Sequence, residues 1–332
     1  MERQEGNRLT SPPIRCRLLL GLCCGLLLAP LAGAESLRFA LVAKTVDPIP
    51  FVQAGLGCAE AARAEGDSCI LLGPTGPPNF RQQDHILGEA LEMGLDGIAV
   101  SVSNSRWLAE HSLQRVGRTP LITFDADLEP ADRHLRRAYV GFDDRKFGRR
   151  LGELAQRLRP QGGLLCLLAG NLYDPNVDIR LRGLREYLSG GRGSERLSGE
   201  VGWREHERCP LYTAGDQSVA LRQMATMLNS PGVDLIVSLG SWPIQDPERF
   251  RRSIGPLLAE LQARGTRPPI VIGVGEPNAQ QLALLDDGLV QAYLAVGFRE
   301  LGRLSYRVLK RLAQGEPVPE STLIESRVYL PK

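Results

Sequence analysis

The chain alternates short apolar runs with segments whose apolar residues recur at helical spacing. In the first half, strands are predicted at 37–43, 68–72, 97–101, 120–124 and 137–141, and helices at 51–65, 79–93 and 105–116. In the second half, strands are predicted at 164–168, 233–239 and 289–295, helices at 177–189, 216–229 and 298–314, and an extended stretch at 323–330. Strands that alternate with helices are typical of a doubly wound parallel sheet.

One strand-and-loop unit occurs twice. Residues 94–100 (GLDGIAV) resemble residues 232–238 (GVDLIVS), and the strand that follows each unit is also repeated, at 119–125 and 268–274. A duplicated unit predicts two similar halves, and a cleft between them is the first place to expect a site. The sequence therefore predicts an α/β protein with two doubly wound parallel-sheet lobes and a ligand cleft between them. Three crossings of the chain between the lobes would form a hinge.

The amino terminus has the pattern of a secretory signal peptide. Arg15 and Arg17 precede the apolar stretch 18–28, and small residues at 32–34 mark a cleavage site after Ala34. Read as a membrane anchor, the segment is short and interrupted by Pro30. Read as a lipoprotein signal, it has Leu22 where a small residue is usual. We expect a protein exported to the periplasm, with residues 1–34 removed, one lobe formed by 35–141 with 297–322 and the other by 142–296 with 323–332.

Charge and cysteine content narrow the possible partners. The chain has 40 basic and 38 acidic residues, of which four and two precede Glu35, so the mature chain would carry 36 of each. This balance leaves no excess of positive charge that would bind nucleic acid. Export permits disulfides, and the closest pair is Cys58 with Cys69, for which a disulfide and two free thiols both remain open. Free thiols are favoured for Cys166 and Cys209.

Polar residues that follow the predicted strands are the candidate ligand contacts. Asp125 and Asp127 stand at the carboxyl end of a strand, where open α/β sheets bind ligands, although Asp127 is also placed to cap a helix. Trp242 follows a strand in the other half, and an exposed Trp beside a cleft suggests ligand contact as an alternative to packing under its loop. The other candidates in these polar segments are Ser101, Ser103, Asn176 and Ser241.

Catalytic and cofactor motifs find little support. The chain has no Gly-x-Ser-x-Gly, His-Glu-x-x-His or Cys-x-x-Cys, and its four His residues stand apart from one another. We therefore expect no enzyme activity, no cofactor and no metal. A remote alternative is a hydrolase that uses Asp125 and Glu276 as a carboxylate pair.

Several segments, in order and spacing, resemble the ribose-binding-like branch of the type I periplasmic binding proteins. They are residues 47–57, 73–74, 94–98, 120–127, 139–144 with Gly148, and 180–183. The resemblance covers nearly the whole mature chain. It implies a monomeric protein that captures a small polar ligand such as a monosaccharide or polyol and delivers it to an ABC importer. The alternative partner is a membrane sensor kinase or chemoreceptor.

The resemblance also assigns roles to individual residues. Phe51 matches the aromatic residue that stacks on the sugar, and Asp125 matches the acidic residue that accepts its hydroxyl groups. The Arg that clamps the ring falls at Asp178 by strict count or at Arg180 after a small shift, for which an inter-lobe salt bridge is the alternative role. The acidic residue of the next strand falls at Glu276. The chain differs from the family pattern at Ala126, where a basic residue is usual.

Overall fold

The computed structural model describes residues 36–172, 174–193 and 195–332, so the predicted signal peptide lies outside the described residues. The strands are β1 (Arg38–Val42), β2 (Ser68–Leu72), β3 (Gly97–Val100), β4 (Leu121–Phe124), β5 (Tyr139–Gly141), β6 (Gly163–Ala169), β7 (Trp203–Glu205), β8 (Leu211–Tyr212), β9 (Val233–Ser238), β10 (Ile270–Gly275), β11 (Ala292–Val296), β12 (Ser321–Leu323) and β13 (Arg327–Tyr329). The α-helices are α1 (Ile49–Ala64), α2 (Phe80–Glu92), α3 (Ser105–Glu110), α4 (Asp144–Leu158), α5 (Pro175–Leu188), α6 (Gln217–Leu228), α7 (Pro247–Ala263), α8 (Ala279–Asp286) and α9 (Phe298–Ala313).

The strands form two separate sheets. The first has the order β12-β5-β4-β3-β1-β2, and the second has the order β13-β11-β10-β9-β6-β7, with β8 also paired to β6. All of the pairings between named strands are parallel except that of β11 with β13. We call the first sheet with its helices α1, α2, α3 and α9 the first lobe, and the second sheet with α4 to α8 the second lobe. The predicted fold class is confirmed.

The chain passes between the sheets at three points. It leaves the first sheet between β5 and α4, returns between β11 and α9, and leaves again between β12 and β13. The last passage explains why the predicted extended stretch is in fact two short strands, since each pairs in a different sheet. The residue boundaries given above for the two lobes remain a prediction.

The Asp of the duplicated unit has the same structural role in both lobes. Asp96 accepts a hydrogen bond from the backbone N of Arg38, at the start of β1, at 2.7 Å. Asp234 accepts one from the backbone N of Leu164, near the start of β6, at 2.9 Å. Each carboxylate therefore ties two neighbouring strands at their amino ends, far from the carboxyl ends where ligands bind.

Each lobe contains one disulfide. Cys58 on α1 is bonded to Cys69 on β2, with a Cα separation of 5.8 Å. Cys166 on β6 is bonded to Cys209, with a Cα separation of 5.4 Å. The preference for free thiols at Cys166 and Cys209 is therefore wrong, because the chain, after a sequence separation of 43, brings Cys209 back beside β6. Among the described residues, no helix has both the length and the apolar character needed to cross a membrane.

Candidate functional site

A cavity of about 410 Å³ lies between the two lobes at the carboxyl ends of their strands. The first lobe contributes the loop from β1 into α1, residues 76–78 and Asp125. The second lobe contributes the start of α5, the start of α6, the loop after β9 and the end of β10. Its volume lies within the range of pockets that hold small molecules.

Lys44 joins the two lobes across the cavity. This residue follows β1, and only 5% of it is exposed. Its Nζ lies 3.2 Å from Asp174 Oδ1 and donates to Asn176 Oδ1 at 2.9 Å, both at the start of α5 in the second lobe. Burial raises the pKa of Asp174, and the ammonium group of Lys44 opposes that rise. The closed arrangement of the lobes thus contains a buried ionic contact between them.

Asp125 presents a buried carboxylate to the cavity from the end of β4. Its backbone lies in the left-handed region at a φ of 61°, a conformation in which Asp is more common than most residues. Ser101 Oγ, just after β3, donates to Asp125 Oδ2 at 2.7 Å, and Tyr139 OH donates to its backbone carbonyl at 2.9 Å. These contacts hold the carboxylate in place and leave Oδ1 without a donor among the described residues.

Arg180 lines the cavity from α5, and other residues of the second lobe hold its guanidinium group in place. Its Nε donates to Asp144 Oδ1 at 2.7 Å, and its Nη1 donates to the carbonyl of Leu239 at 2.9 Å. The guanidinium also lies over the rings of Phe142 and Phe147, 5.0 and 4.7 Å from their centroids. Burial raises the pKa of Asp144 to about 7, although Arg180 opposes the rise.

Helices α4 and α5 approach closely enough to make this ion pair because glycine occupies both contact points. A Cβ on Gly148 would lie 2.0 Å from the carbonyl oxygen of Arg180, and one on Gly183 would lie 2.2 Å from that of Arg145. The Arg180 and Asp144 pair is therefore formed within the second lobe. The alternative of an inter-lobe salt bridge applies to Lys44 and not to Arg180.

Two aromatic side chains complete the wall. Phe51 on α1 packs edge-on against Phe124 and Phe298, with ring centroids 6.4 and 5.8 Å away. The Trp242 ring lies close to the backbone of Gly170 and Gly240, where an added Cβ would meet it at 2.6 and 2.8 Å. Small residues at these two positions allow the indole to lie close to the end of the second sheet.

The structure brings together six of the eleven predicted contact residues, which line the cavity: Phe51, Asp125, Asn176, Arg180, Ser241 and Trp242. Ser101 lies behind the wall as the hydrogen-bond donor to Asp125, and Ser103 is turned away to Gln83. Whether the six touch a ligand remains a prediction.

Three predicted acidic contacts lie outside the cavity. Asp127 forms a bidentate pair with Arg136, at 2.6 and 2.7 Å, so it is neither a cavity residue nor a helix cap. Asp178 is exposed and pairs with Arg182 one turn along α5. Glu276 is exposed just after the end of β10. Because Glu276 does not line the cavity with Asp125, the geometry gives no support to the carboxylate-pair hydrolase.

Sequence reasoning missed several polar residues of the cavity. Lys44, Asp47, Asp174, Asp216, Gln217, Gln245 and Arg249 line it, and none of them is among the predicted contact residues. The position of Lys44 directly after the apolar run of β1 was an available signal, since the same strand-end rule identified Asp125.

Comparisons with known proteins agree with this geometry. The family model described as "periplasmic binding protein domain" matches residues 39–317. GanP, a glucose-galactose binding protein from Geobacillus stearothermophilus, is 20% identical, with a TM-score of 0.72 over 89% of this chain and 98% of its own. An ABC transporter solute binding protein from Agrobacterium vitis with bound D-fucose is 15% identical, with a TM-score of 0.74 over 88% and 95% of the two chains.

A third structure similar to this chain comes from a protein complex. XylFII in the XylFII-LytSN complex is 17% identical, with a TM-score of 0.70 over 89% of this chain and 98% of its own. At these identities the solved structures establish a common fold and no more. No curated protein sequence matches the chain.

Proposed function

Because the chain belongs to the periplasmic binding protein family, we propose that it is a solute-binding protein that closes its two lobes on a small polar ligand. The observation that carries the proposal is the cavity, whose wall comes from both lobes and is bridged by Lys44. A ligand held between the lobes makes all of its contacts only when they are closed. It therefore shifts an equilibrium between open and closed forms by its difference in affinity for the two.

We propose a monosaccharide or related polyol as the class of ligand. The cavity combines carboxylate, amide and guanidinium groups with the rings of Phe51 and Trp242, which suits a ring that has hydroxyl groups at its edge and C–H groups on its faces. The similar proteins from Agrobacterium vitis and Burkholderia graminis are described with bound D-fucose and D-arabinose. Asp125, Asn176 and Arg180 would pair with hydroxyl groups.

The proposed setting is the periplasm, after removal of residues 1–34. There the protein would act as a monomer that delivers its ligand to the permease of an ABC importer, with no nucleic-acid partner and no cofactor. The family and the transporter-associated neighbours support this setting.

A second candidate function is ligand sensing through a membrane-bound protein partner such as a sensor kinase or chemoreceptor. The observation that favours it is the similarity to XylFII, which is described in complex with another protein, LytSN. A deletion strain separates the two functions. Loss of uptake of one solute indicates import, whereas intact uptake with loss of gene induction by that solute indicates sensing.

The proposal is tested by native mass spectrometry of protein from its own periplasm, followed by calorimetry with the sugar that is retained. Asp125→Ala should weaken binding by about 2 kcal/mol, the order expected when a buried hydroxyl loses its acceptor. Asp178→Ala, which removes an exposed carboxylate outside the cavity, is the matched control and should bind like the wild type. An unchanged dissociation constant for Asp125→Ala would remove this residue from the site.

A further inference from the structure

The charges around the cavity suggest a more specific ligand class. We infer that the ligand carries a positive charge, such as the protonated amine of an amino sugar, and that Asp125 binds this charge. The inference rests on the proposed function, because it concerns the ligand of the same cavity.

The buried charges in the cavity wall and directly behind it do not balance. Lys44, Arg180, Asp125 and Asp174 line the cavity, and a third buried carboxylate, that of Asp144, lies behind Arg180. Lys44 is paired with Asp174, and Arg180 is paired with Asp144. In the described part of the chain, no Lys, Arg or His forms an ion pair with Asp125. Above the pKa of about 7 of Asp144, where its carboxylate is ionised, one negative charge is therefore left over, and it faces the cavity.

Asp125 is buried enough for this imbalance to matter. Only 3% of the residue is exposed, and within the described ranges its carboxylate has one donor, the neutral hydroxyl of Ser101. A buried carboxylate without a cation is costly, and proteins normally pair such groups. A cationic ligand would supply the missing partner at Oδ1, which Ser101 leaves open.

The neighbouring carboxylates respond to the same charge. Burial is the main cause of the raised pKa of Asp144 and of Asp174, and the negative charge of Asp125 adds to both. A cation beside Asp125 would make the electrostatic potential at all three carboxylates less negative and so favour their ionised forms. The effect of the ligand's charge would thus extend beyond one contact.

The rest of the cavity favours a cation as well. Phe51 and Trp242 present aromatic rings to it, and ring faces attract ammonium groups. At the mouth, Asp47 and Asp216 outnumber the single cation Arg249. The backbone N–H of Val219 donates to Asp216 and lowers its pKa, which keeps it ionised. The mouth and the floor therefore have the same sign of net charge.

The test compares pairs of sugars that differ in one group. Calorimetry near pH 7.5, above the pKa of about 7 of Asp144 and below the pKa of about 8 that is usual for an α-amino group, would measure binding of D-glucosamine against D-glucose and of D-galactosamine against D-galactose. We expect one of the two pairs to fit the cavity. In that pair the amino sugar should bind at least about tenfold more tightly than the neutral sugar, since a hydrogen bond to a charged group adds about that much affinity. N-acetylglucosamine and N-acetylgalactosamine keep the nitrogen but lose the charge, and should lose this advantage.

Two variants assign the preference to Asp125. Asp125→Asn keeps the shape of the side chain and an acceptor for Ser101. In this variant the dissociation constants of the amino sugar and the neutral sugar should differ by no more than about threefold. Asp178→Asn removes an exposed carboxylate and should keep the wild-type preference. A preference that survives in Asp125→Asn would overturn the assignment.

The outcomes also separate this inference from the proposed function. Equal binding of neutral and amino sugars by the wild type would overturn the inference and leave the sugar-binding function intact. Binding of neither class would reject the sugar-binding function, and the inference with it.

Discussion

The two walls of the cavity come from similar strand-and-loop units but present different chemistry. The first-lobe wall offers Asp125 at a strand end, without a cation, beside Phe51 in an aromatic cluster. The second-lobe wall offers Arg180, already paired with Asp144, and Trp242, packed close to a glycine backbone. The frame is therefore the same in the two lobes, as the paired roles of Asp96 and Asp234 illustrate, while the cavity-facing positions differ.

The difference determines what each wall can contribute. The charges of Arg180 and Asp174 in the second wall are already paired within the protein, so they cost little when the cavity is empty. The open carboxylate of the first wall has the most to gain from a ligand. Among the described residues, the ion pair that links the two walls is that of Lys44 with Asp174, and together with the bond to Asn176 it makes closure partly a property of the protein itself. Each of these statements can be tested by a substitution.

The largest expected effect concerns the buried acid of the second wall. Asp144 has a pKa of about 7 in the folded protein against an ordinary value of 3.8, so between these values the folded state binds more protons than the unfolded state. Stability should therefore fall as the pH rises from about 4 to about 7, by about 4 kcal/mol at most.

Comparison with Asp144→Asn isolates this group. We expect urea unfolding of both proteins to give a difference in unfolding free energy, wild type minus variant, that decreases as the pH rises towards 7 and is constant above it. A difference between the two proteins that does not change with pH would contradict the burial of an ionisable group at this position.

The disulfides compare the two lobes directly. In the chain-entropy account, opening the Cys166–Cys209 loop, with a sequence separation of 43, costs about 4 kcal/mol, whereas the Cys58–Cys69 loop, with a separation of 11, costs about 3 kcal/mol. We expect urea unfolding to show a larger loss of unfolding free energy for the double Ala variant of Cys166 and Cys209 than for that of Cys58 and Cys69. Peptide mapping without reduction provides the control that both bonds exist in periplasmic protein. The reverse order of destabilisation would mean that strain outweighs loop length.

Trp242 tests whether the second wall contributes to closure. Trp242→Ala should weaken ligand binding by about 2 kcal/mol, roughly thirtyfold, because it removes a ring that completes the closed cavity. The protein should also show less compaction by small-angle scattering at saturating ligand. Trp107→Ala is the matched control, since Trp107 lies outside the cavity and stacks on His111. Wild-type binding and compaction in Trp242→Ala would exclude this residue from recognition.

The order of strands and helices was predictable from sequence because the spacing of apolar residues differs between the two. Buried strands appear as apolar runs, and the strand-end rule located Asp125 and, applied consistently, would have located Lys44. The partner of Lys44 could not be predicted, because Asp174 lies 130 residues away and is brought near only by the meeting of the lobes.

Helical geometry explains which of the α5 candidates face the cavity. Asn176 and Arg180 are four residues apart and share one face of the helix, whereas Asp178, midway between them, lies on the opposite side. The helix begins at Pro175, two residues earlier than predicted, so Asn176 belongs to the helix rather than to the loop. Asp127 could not be placed from sequence for a different reason, because its position depends on a bidentate contact with Arg136, which lies beyond the turn that follows β4.

The smallest expected effect tests the link between the walls. Lys44→Met removes the donor shared by Asp174 and Asn176, and both can recover hydrogen bonds from water when the lobes separate. We therefore expect a shift of about 1 kcal/mol towards the open form, seen as a larger radius of gyration without ligand and a dissociation constant raised about fivefold. Lys332→Met, which removes an exposed lysine paired with Asp286, should leave both quantities unchanged. If Lys44→Met has the radius of gyration of the wild type, the lobes are held together by other contacts, and the difference between the two walls matters only when ligand is bound.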